Sequence, residues 1–132
     1  MQTKPNFFIV GAPKCGTTAF NADLKRHPDV FIPERKEIHF FGHDLKLDGE
    51  RPSLEAYLAL FAPSASRCAI GESSVFYLFS RTAADEIYSF NPDAQIIIML
   101  RDPIDMVHSL YYHTCKNSMK RIYLLFSLVM KY

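Results

Sequence analysis

The amino-acid sequence predicts an α/β fold with a mostly parallel sheet, and three features of the chain support this prediction. Residues 7–10 and 96–100 form continuous apolar runs of the kind found in strands that are buried on both faces. A helical pattern follows each run. A glycine-rich turn joins the first run to its helix. This alternation is typical of parallel sheets that carry helices on both faces.

The first half of the chain predicts two helices that are separated by a long loop. The first helix follows the glycine-rich turn and ends before Pro28. Residues 30–52 contain short apolar patches, charged residues, glycine and proline, and we interpret them as loops. Ser53 is a suitable N-cap for a second helix over residues 54–61.

The second half alternates between strands and helices. A short strand is predicted over residues 68–71, and a helix follows over residues 81–90. Residues 95–100 read as the clearest buried strand of the chain. A last helix is predicted over residues 103–114, with Pro103 in its first turn, where proline is favoured.

Composition limits the classes of function. A chain of 132 residues supports one domain at most. Its 48% hydrophobic and 22% charged residues are ordinary for a globular protein. The net charge of +1 gives no general attraction to nucleic acid or to an anionic membrane, so an anion site must be local. We expect no nucleic-acid partner.

The cysteine spacing and the length of the apolar runs predict the cellular compartment of the protein. The three cysteines are widely spaced and form no C-x-x-C pair, which argues against a disulfide framework or a zinc site. The first strand starts at Phe7, which leaves no room for a signal peptide. The apolar runs are shorter than the roughly 18 residues of a membrane helix. We therefore expect a soluble, cytoplasmic protein without a membrane span.

The glycine-rich turn has the character of a phosphate-binding loop. Gly11 and Gly16 have the spacing of the nucleotide-triphosphatase loop, but the lysine is Lys14 instead of the residue after the second glycine. Backbone N–H groups at the start of the helix could hold an anion, and the hydroxyls of Thr17 and Thr18 add donors. The alternative is a strand–helix turn with incidental glycines.

A second candidate anion site follows the last predicted strand. Arg101 leaves that strand, and Ser109 would lie about two turns into the next helix. Ligands of open α/β sheets bind outside the carboxyl ends of the strands, and the planar arginine side chain suits a phosphate. Arg101 could instead form an ion pair with Asp102 or Asp105.

Two anion sites on one sheet predict a ligand with two separated phosphate groups, such as an adenosine bisphosphate. A nucleoside triphosphate would require magnesium and a Walker-type aspartate directly after the strand. Arg101 occupies that position in this sequence. A metal-free transfer reaction, with a lysine near the bond that breaks, fits this arrangement. The alternative is an atypical P-loop kinase or ATPase, which would need magnesium and favour ATP.

Four successive blocks of the sequence resemble, in the same order along the chain, the sulfotransferases that use 3′-phosphoadenosine-5′-phosphosulfate (PAPS). The likeness is to the branch of bacterial and heparan-sulfate-type carbohydrate sulfotransferases. It covers residues 7 to about 114, in the blocks IVGAPKCGTT, HPDVFIPERKEIHFF, AIGESSVFYL and NPDAQIIIMLRDPIDMVHS. The resemblance implies a P-loop-containing, three-layer α/β fold, truncated here. It also implies transfer of a sulfuryl group from PAPS to a hydroxyl acceptor, a carbohydrate in this branch, without a metal.

The resemblance also assigns expected roles to individual residues. The positions that match the PAPS-binding residues of the family are Lys14, Gly16, Thr17, Thr18, Arg101 and Ser109. Those around Lys14 match the loop for the 5′-phosphosulfate, and the last two match the residues that hold the 3′-phosphate.

Three residues match catalytic positions of the family. Lys14 would contact the bridging oxygen and stabilise its charge as the sulfuryl group leaves. Glu37 matches the general base of the carbohydrate branch, and His39 matches the neighbouring histidine. Glu37 could instead be a solvated charge within its charged run. His39 and His43 could suggest a metal, but packing or a hydrogen bond is the simpler expectation for both.

The resemblance also gives the expected domain organisation. We interpret residues 1–115 as the N-terminal, PAPS-binding part of a sulfotransferase domain and residues 116–132 as a divergent tail. The tail could form a short helix, or it could result from a frameshift. An alternative function is therefore an incomplete sulfotransferase that binds an adenosine bisphosphate without turnover. Its exposed sheet edge would favour an oligomer.

Overall fold

The computed structural model describes residues 3–64 and 67–116 of a chain that divides into two units, Met1–Leu100 and Arg101–Tyr132. The first unit contains one sheet of parallel strands in the order β2-β3-β1-β4. The strands are β1 (Phe7–Gly11), β2 (Val30–Phe31), β3 (Ala69–Ser73) and β4 (Gln95–Ile98). The predicted α/β fold with a parallel sheet is confirmed.

The helices lie close to their predicted positions. The α-helices are α1 (Thr17–Lys25), α2 (Leu54–Ala59) and α3 (Ala83–Phe90) in the first unit, and α4 (Pro103–Lys116) in the second. Short 3₁₀ helices follow α2 and β3, at Ala62–Ser64 and Val75–Phe79. Ser53 is the predicted cap of α2, since its Oγ accepts a hydrogen bond of 3.2 Å from the Ala56 N–H. The predicted tail, beyond residue 116, lies outside the described residues.

The sheet of the first unit is covered on both faces. The side chains of β1 alternate, so that Phe8 packs with Tyr57 of α2 and Ile87 of α3. Phe7, on the opposite face, packs with Phe20 of α1. Helix α1 thus covers one face while α2 and α3 cover the other, which is the predicted three-layer arrangement.

Strand β4 corrects one prediction from the sequence. Its run of isoleucines predicted a strand buried on both faces, yet Ile96 is 49% exposed and Ile98 is 50% exposed. Strand β4 is the edge of the described sheet, because it pairs only with β1. The continuous apolar run therefore predicted the strand correctly, but it did not predict the strand's place in the sheet order.

A buried carboxyl group lies near the carboxyl end of β3. Glu72 is 1% exposed and is in register with Phe8 of β1. The Tyr57 hydroxyl donates to its Oε2 at 2.5 Å, and the Ser74 and Tyr77 hydroxyls donate to its Oε1 at 2.6 and 2.7 Å. Burial raises the pKa of Glu72, while these three hydrogen bonds oppose that rise. The carboxyl group therefore joins α2, β3 and the 3₁₀ helix that follows β3.

The same hydroxyl groups hold a second segment of the chain. The Ser74 Oγ accepts a hydrogen bond of 3.2 Å from the His39 N–H, and the Tyr77 hydroxyl accepts one of 3.2 Å from the Phe41 N–H. Burial and the nearby Glu72 raise the pKa of Tyr77, so its hydroxyl stays protonated. A continuous polar network thus runs from Glu72 to the backbone of residues 39–41.

We expect Tyr57→Phe to lower the free energy of unfolding by about 1–3 kcal/mol, because a buried carboxyl oxygen loses its hydrogen-bond donor. Urea unfolding followed by circular dichroism measures the change. Tyr88→Phe is the matched control, since Tyr88 is 68% exposed, and it should change stability little. Equal effects of the two substitutions would contradict a structural role for the Tyr57 hydroxyl.

The pH dependence of stability tests the burial of Glu72 directly. The pKa of Glu72 in the folded chain is raised above the ordinary 4.5. The contribution of Glu72 to the free energy of unfolding is therefore complete below about pH 4.5 and is lost as the pH rises through the folded pKa. The unfolding free energy of the wild type, minus that of Glu72→Gln, should therefore fall as the pH is raised above 4.5. Urea unfolding of both proteins at a series of pH values measures this difference. A difference that does not change with pH would contradict the expectation.

Candidate functional site

The predicted anion loop, residues 11–18, begins at the end of β1 and is fixed at its start by backbone hydrogen bonds. The Ala12 N–H donates to the Met99 carbonyl at 2.8 Å, and the Met99 N–H donates to the Gly11 carbonyl at 2.9 Å. Gly16, the N-cap of α1, has a φ of +84°, which glycine adopts without steric cost. Gly16 provides no side-chain cap to α1, and the first turn of the helix contains no acidic residue. The first N–H groups of α1 therefore have no intrahelical partner and form an electropositive end.

Three residues besides glycine adopt a left-handed backbone within the described ranges. They are Lys14, with a φ of 62°, and Glu37 and His39, each with a φ of 54°. These are also the three residues that the sequence predicted to be catalytic. Left-handed conformations are uncommon for side-chain-bearing residues and concentrate at functional sites, where the surrounding structure must hold them. Their coincidence with the predicted positions supports a functional site here.

Glu37 lies at the same sheet edge as the anion loop. Its N–H donates to the Ser73 carbonyl at 2.9 Å, and its Oε2 accepts a hydrogen bond of 3.1 Å from the Val75 N–H. Both contacts place it at the carboxyl end of β3, which pairs in parallel with β1. The carboxyl ends of neighbouring parallel strands share an edge, and that edge is where α/β sheets bind ligands.

The environment of Glu37 differs from that of a solvated charge. Its side chain is 33% exposed. Burial raises the pKa of Glu37, the Val75 N–H and the Lys36 ammonium oppose this, and Glu72 adds to it. A carboxylate with a raised pKa is a stronger base than a solvated one, so Glu37 is suited to accept a proton.

His39 lies beside this carboxyl group. Its Nε2 is 3.5 Å from Glu37 Oε2. Burial lowers the pKa of His39, and the positive charges of Arg51 and Arg35 lower it further. The imidazole is therefore kept neutral and can donate or accept one hydrogen bond next to Glu37.

Arg51 holds the segment that carries these residues. Its Nη1 donates to the carbonyls of His39 and Phe41 at 2.5 and 2.7 Å, and its Nη2 donates to those of Gly42 and Leu45 at 2.6 and 3.0 Å. One planar guanidinium thus satisfies four carbonyl groups of a loop that has no helix or strand. The left-handed backbone at His39 is fixed from this side.

A cavity of about 140 Å³ opens beside Glu37 and His39, and residues 47–51 form its other wall. A larger cavity of about 330 Å³ lies between α3 and β4, with a mostly apolar lining that includes Leu78, Ile87 and Ile96. The chemical groups on the cavity walls indicate which of the two cavities is the candidate functional site. The smaller cavity has a carboxyl group with a raised pKa and a neutral imidazole on its wall, whereas the larger one presents no such groups.

The second unit contains the other predicted anion site. Arg101 precedes α4, and Ser109 lies half-buried in the second turn of that helix. The alternative of an ion pair with a neighbouring aspartate is not supported, since Arg101 pairs with no acidic residue within residues 101–116. Asp102 instead caps α4, where its Oδ1 accepts a hydrogen bond of 2.9 Å from the Ile104 N–H.

The two histidines considered as metal ligands have other partners. His39 lies beside Glu37, and the Nδ1 of His43 is 2.8 Å from Glu86 Oε2. No cluster of three or more histidine, cysteine, aspartate or glutamate side chains that could hold a metal occurs within residues 3–64 and 67–116. None of the helices in that part of the chain is long and apolar enough to cross a membrane.

Sequence reasoning did not single out three residues that shape the site, namely Lys36, Arg51 and Glu72. A glutamate within the otherwise small and apolar stretch AIGESS was a usable signal for a buried carboxyl group. Lys36 and Arg51 gave no such signal, because each lies among other polar residues of a predicted loop.

The geometry of the candidate site agrees with the proteins to which this chain is similar in sequence. A sulfotransferase domain model matches residues 4–130. Rat carbohydrate sulfotransferase 15 is 32% identical over a 160-residue alignment that covers 89% of this chain and 28% of the relative. Mouse bifunctional heparan sulfate N-deacetylase/N-sulfotransferase 4 is 33% identical over 117 residues, covering 83% of this chain and 13% of that protein.

A solved structure is also similar in fold and sequence. The crystal structure of a sulfotransferase from Alicyclobacillus acidocaldarius superposes with a TM-score of 0.80 and 41% identity, over 87% of this chain and 51% of that one. The chain thus spans about half of that protein and about a quarter of rat carbohydrate sulfotransferase 15. The match of the domain model over nearly all of the sequence is decisive: the chain belongs to the sulfotransferase family.

Proposed function

We propose that this chain is the donor-binding part of an enzyme that transfers a sulfuryl group from PAPS to a hydroxyl group of a carbohydrate. The observation that carries the proposal is the placement of Glu37, whose pKa is raised, at the same sheet edge as the loop that contains Lys14. A base and a cationic anion loop on one edge are the two elements that sulfuryl transfer requires. The carbohydrate acceptor is inferred from the names of the relatives.

The residues of the loop fit an anionic donor. The start of α1 offers free N–H groups and no acidic residue, and Thr17 and Thr18 add hydroxyl groups. Lys14 would stabilise the charge that develops on the bridging oxygen as the sulfur–oxygen bond breaks. By the family resemblance, Arg101 and Ser109 of the second unit are the candidate residues for the 3′-phosphate.

Glu37 and His39 would activate the acceptor hydroxyl group. Glu37 would take the proton of the acceptor hydroxyl as that oxygen forms its new bond to sulfur. His39, neutral and 3.5 Å from Glu37, would keep the carboxylate oriented toward the acceptor. The cavity beside these two residues is the candidate entrance for the acceptor. The reaction is then carried by positioning and charge stabilisation, without a covalent protein intermediate.

Nucleotide binding tests the donor site. We expect the chain to bind adenosine 3′,5′-bisphosphate equally well in EDTA and in magnesium, and to bind ATP more weakly. Lys14→Ala and Arg101→Ala should each weaken bisphosphate binding roughly 10- to 100-fold, because each removes a charged hydrogen-bond donor. Titration calorimetry measures all of these affinities.

Lys46→Ala is the matched control for the donor-site variants, since it removes an exposed lysine from the loop after residue 41. It should leave the affinity within about twofold of the wild type. Binding that needs magnesium, or equal affinity for ATP and the bisphosphate, would instead favour a P-loop kinase or ATPase.

The base is tested by Glu37→Gln. We expect kcat for sulfate transfer from PAPS to fall by roughly 10²- to 10⁴-fold, because general base catalysis contributes about that much. Because the pKa of Glu37 is raised and its carboxylate form is the base, the wild-type rate should rise with pH through a pKa above the ordinary 4.5. Initial rates with carbohydrate acceptors between pH 5 and 8 measure both effects.

Glu34→Gln is the control for the base, since the Glu34 side chain is 97% exposed and pairs with Lys25. It should not change kcat. If the wild-type chain binds the bisphosphate but transfers sulfate to no hydroxyl acceptor, the alternative of a non-catalytic donor-binding fragment is supported instead.

A further inference from the structure

Lys36 makes an unexplained contact with the anion loop. Its Nζ donates a hydrogen bond of 3.1 Å to the Thr18 Oγ1, in the first turn of α1. The two residues are 18 positions apart, so the contact depends on the fold of the first unit. Lys36 is half-buried and is the residue directly before Glu37.

This position is electrostatically unfavourable for an ammonium group by itself. The N-terminal end of a helix carries a partial positive charge, which repels a cation. Burial lowers the pKa of Lys36, the charge of Lys25 lowers it further, and Glu37 opposes both. The helix end, burial and Lys25 therefore all disfavour a cation at this point, and only Glu37 favours it.

The hydrogen bonds of Lys36 leave donors to spare. An ammonium group has three N–H donors, and within residues 3–64 and 67–116 its only hydrogen-bond acceptor is the neutral Thr18 hydroxyl. It takes part in no ion pair in that part of the chain. The nearby Lys25 differs, because its Nζ pairs with Glu34 Oε2 at 3.1 Å. Lys36 is thus a cation held against the anion loop with donors left for a further anion.

We propose that Lys36 is a second donor-binding cation, which contacts the 5′-phosphosulfate of PAPS together with Lys14. The inference rests on the proposed function, since it assigns a residue to the same anion site. A bound 5′-anion would offset the repulsion between the Lys36 ammonium and the end of α1. Because Glu37 is the next residue, the contact would also hold residues 37–41, the base segment, against the occupied donor site.

Binding of two nucleotides that differ only in the 5′-phosphate tests this assignment. We expect Lys36→Gln to weaken binding of adenosine 3′,5′-bisphosphate roughly tenfold, the effect of losing one charged hydrogen bond. Binding of 3′-AMP, which lacks the 5′-phosphate, should change less than about twofold. Lys36→Arg should recover most of the bisphosphate affinity. Calorimetry on the 132-residue chain measures both ligands directly.

Lys25→Gln is the matched control, because it removes a neighbouring lysine that already has an acidic partner. It should leave both affinities unchanged. Equal weakening of both ligands by Lys36→Gln, with a lowered melting temperature, would show that Lys36 only ties α1 to residues 32–38 and would overturn the inference. Unchanged bisphosphate affinity in Lys36→Gln would also overturn it.

Failure of this inference can be told apart from failure of the proposed function. If the wild-type chain binds no bisphosphate, the donor site itself is wrong. If the wild type binds and Lys14→Ala loses affinity while Lys36→Gln does not, only the role of Lys36 is wrong.

Discussion

The candidate site depends on one buried carboxyl group, that of Glu72. Three hydroxyl groups converge on it, from Tyr57, Ser74 and Tyr77. Two of these hydroxyls also accept the N–H groups of residues 39 and 41, so the network that satisfies the carboxyl group also fixes the base segment. A carboxyl group without hydrogen-bond partners at this depth would be costly, so the loss of any one hydroxyl partner should destabilise the network.

The base segment is held from two sides by groups of opposite character. Hydroxyl groups of the Glu72 network accept its N–H groups, and the Arg51 guanidinium donates to its carbonyls. A loop without regular structure thereby has its backbone polar groups satisfied by side chains. This support explains how Glu37 and His39 keep a left-handed backbone at fixed positions beside the cavity.

Local patterns predicted those parts of the fold that local forces determine. The turn at Gly16 and the cap at Ser53 depend on neighbouring residues, and both were found at the expected positions. The other strands and helices follow in the predicted order, but β2 (Val30–Phe31) was missed, because its stretch was interpreted as loops and the strand depends on pairing with β3. Burial of β4 was predicted wrongly, because its place at the sheet edge depends on which strands pair. The sequence did not predict the roles of three residues, Lys36, Arg51 and Glu72. Each of them contacts residues that are distant in sequence or that lie in a loop, and no local sequence pattern determines the path of that loop. Family resemblance supplied Glu37 and His39, whose backbone conformations leave no trace in composition.

The left-handed residues have a consequence for how such a chain can change over evolutionary time. Each costs roughly 1–2 kcal/mol relative to an ordinary conformation, which is a sizeable share of the 5–15 kcal/mol that stabilises a typical domain. A glycine at position 14, 37 or 39 would relieve that steric cost and remove the side chain that the chemistry needs. Drift under selection for stability alone would therefore erode these three positions early. Lysine, glutamate and histidine at these positions therefore mark places where this chain gives up backbone stability and keeps a reactive side chain.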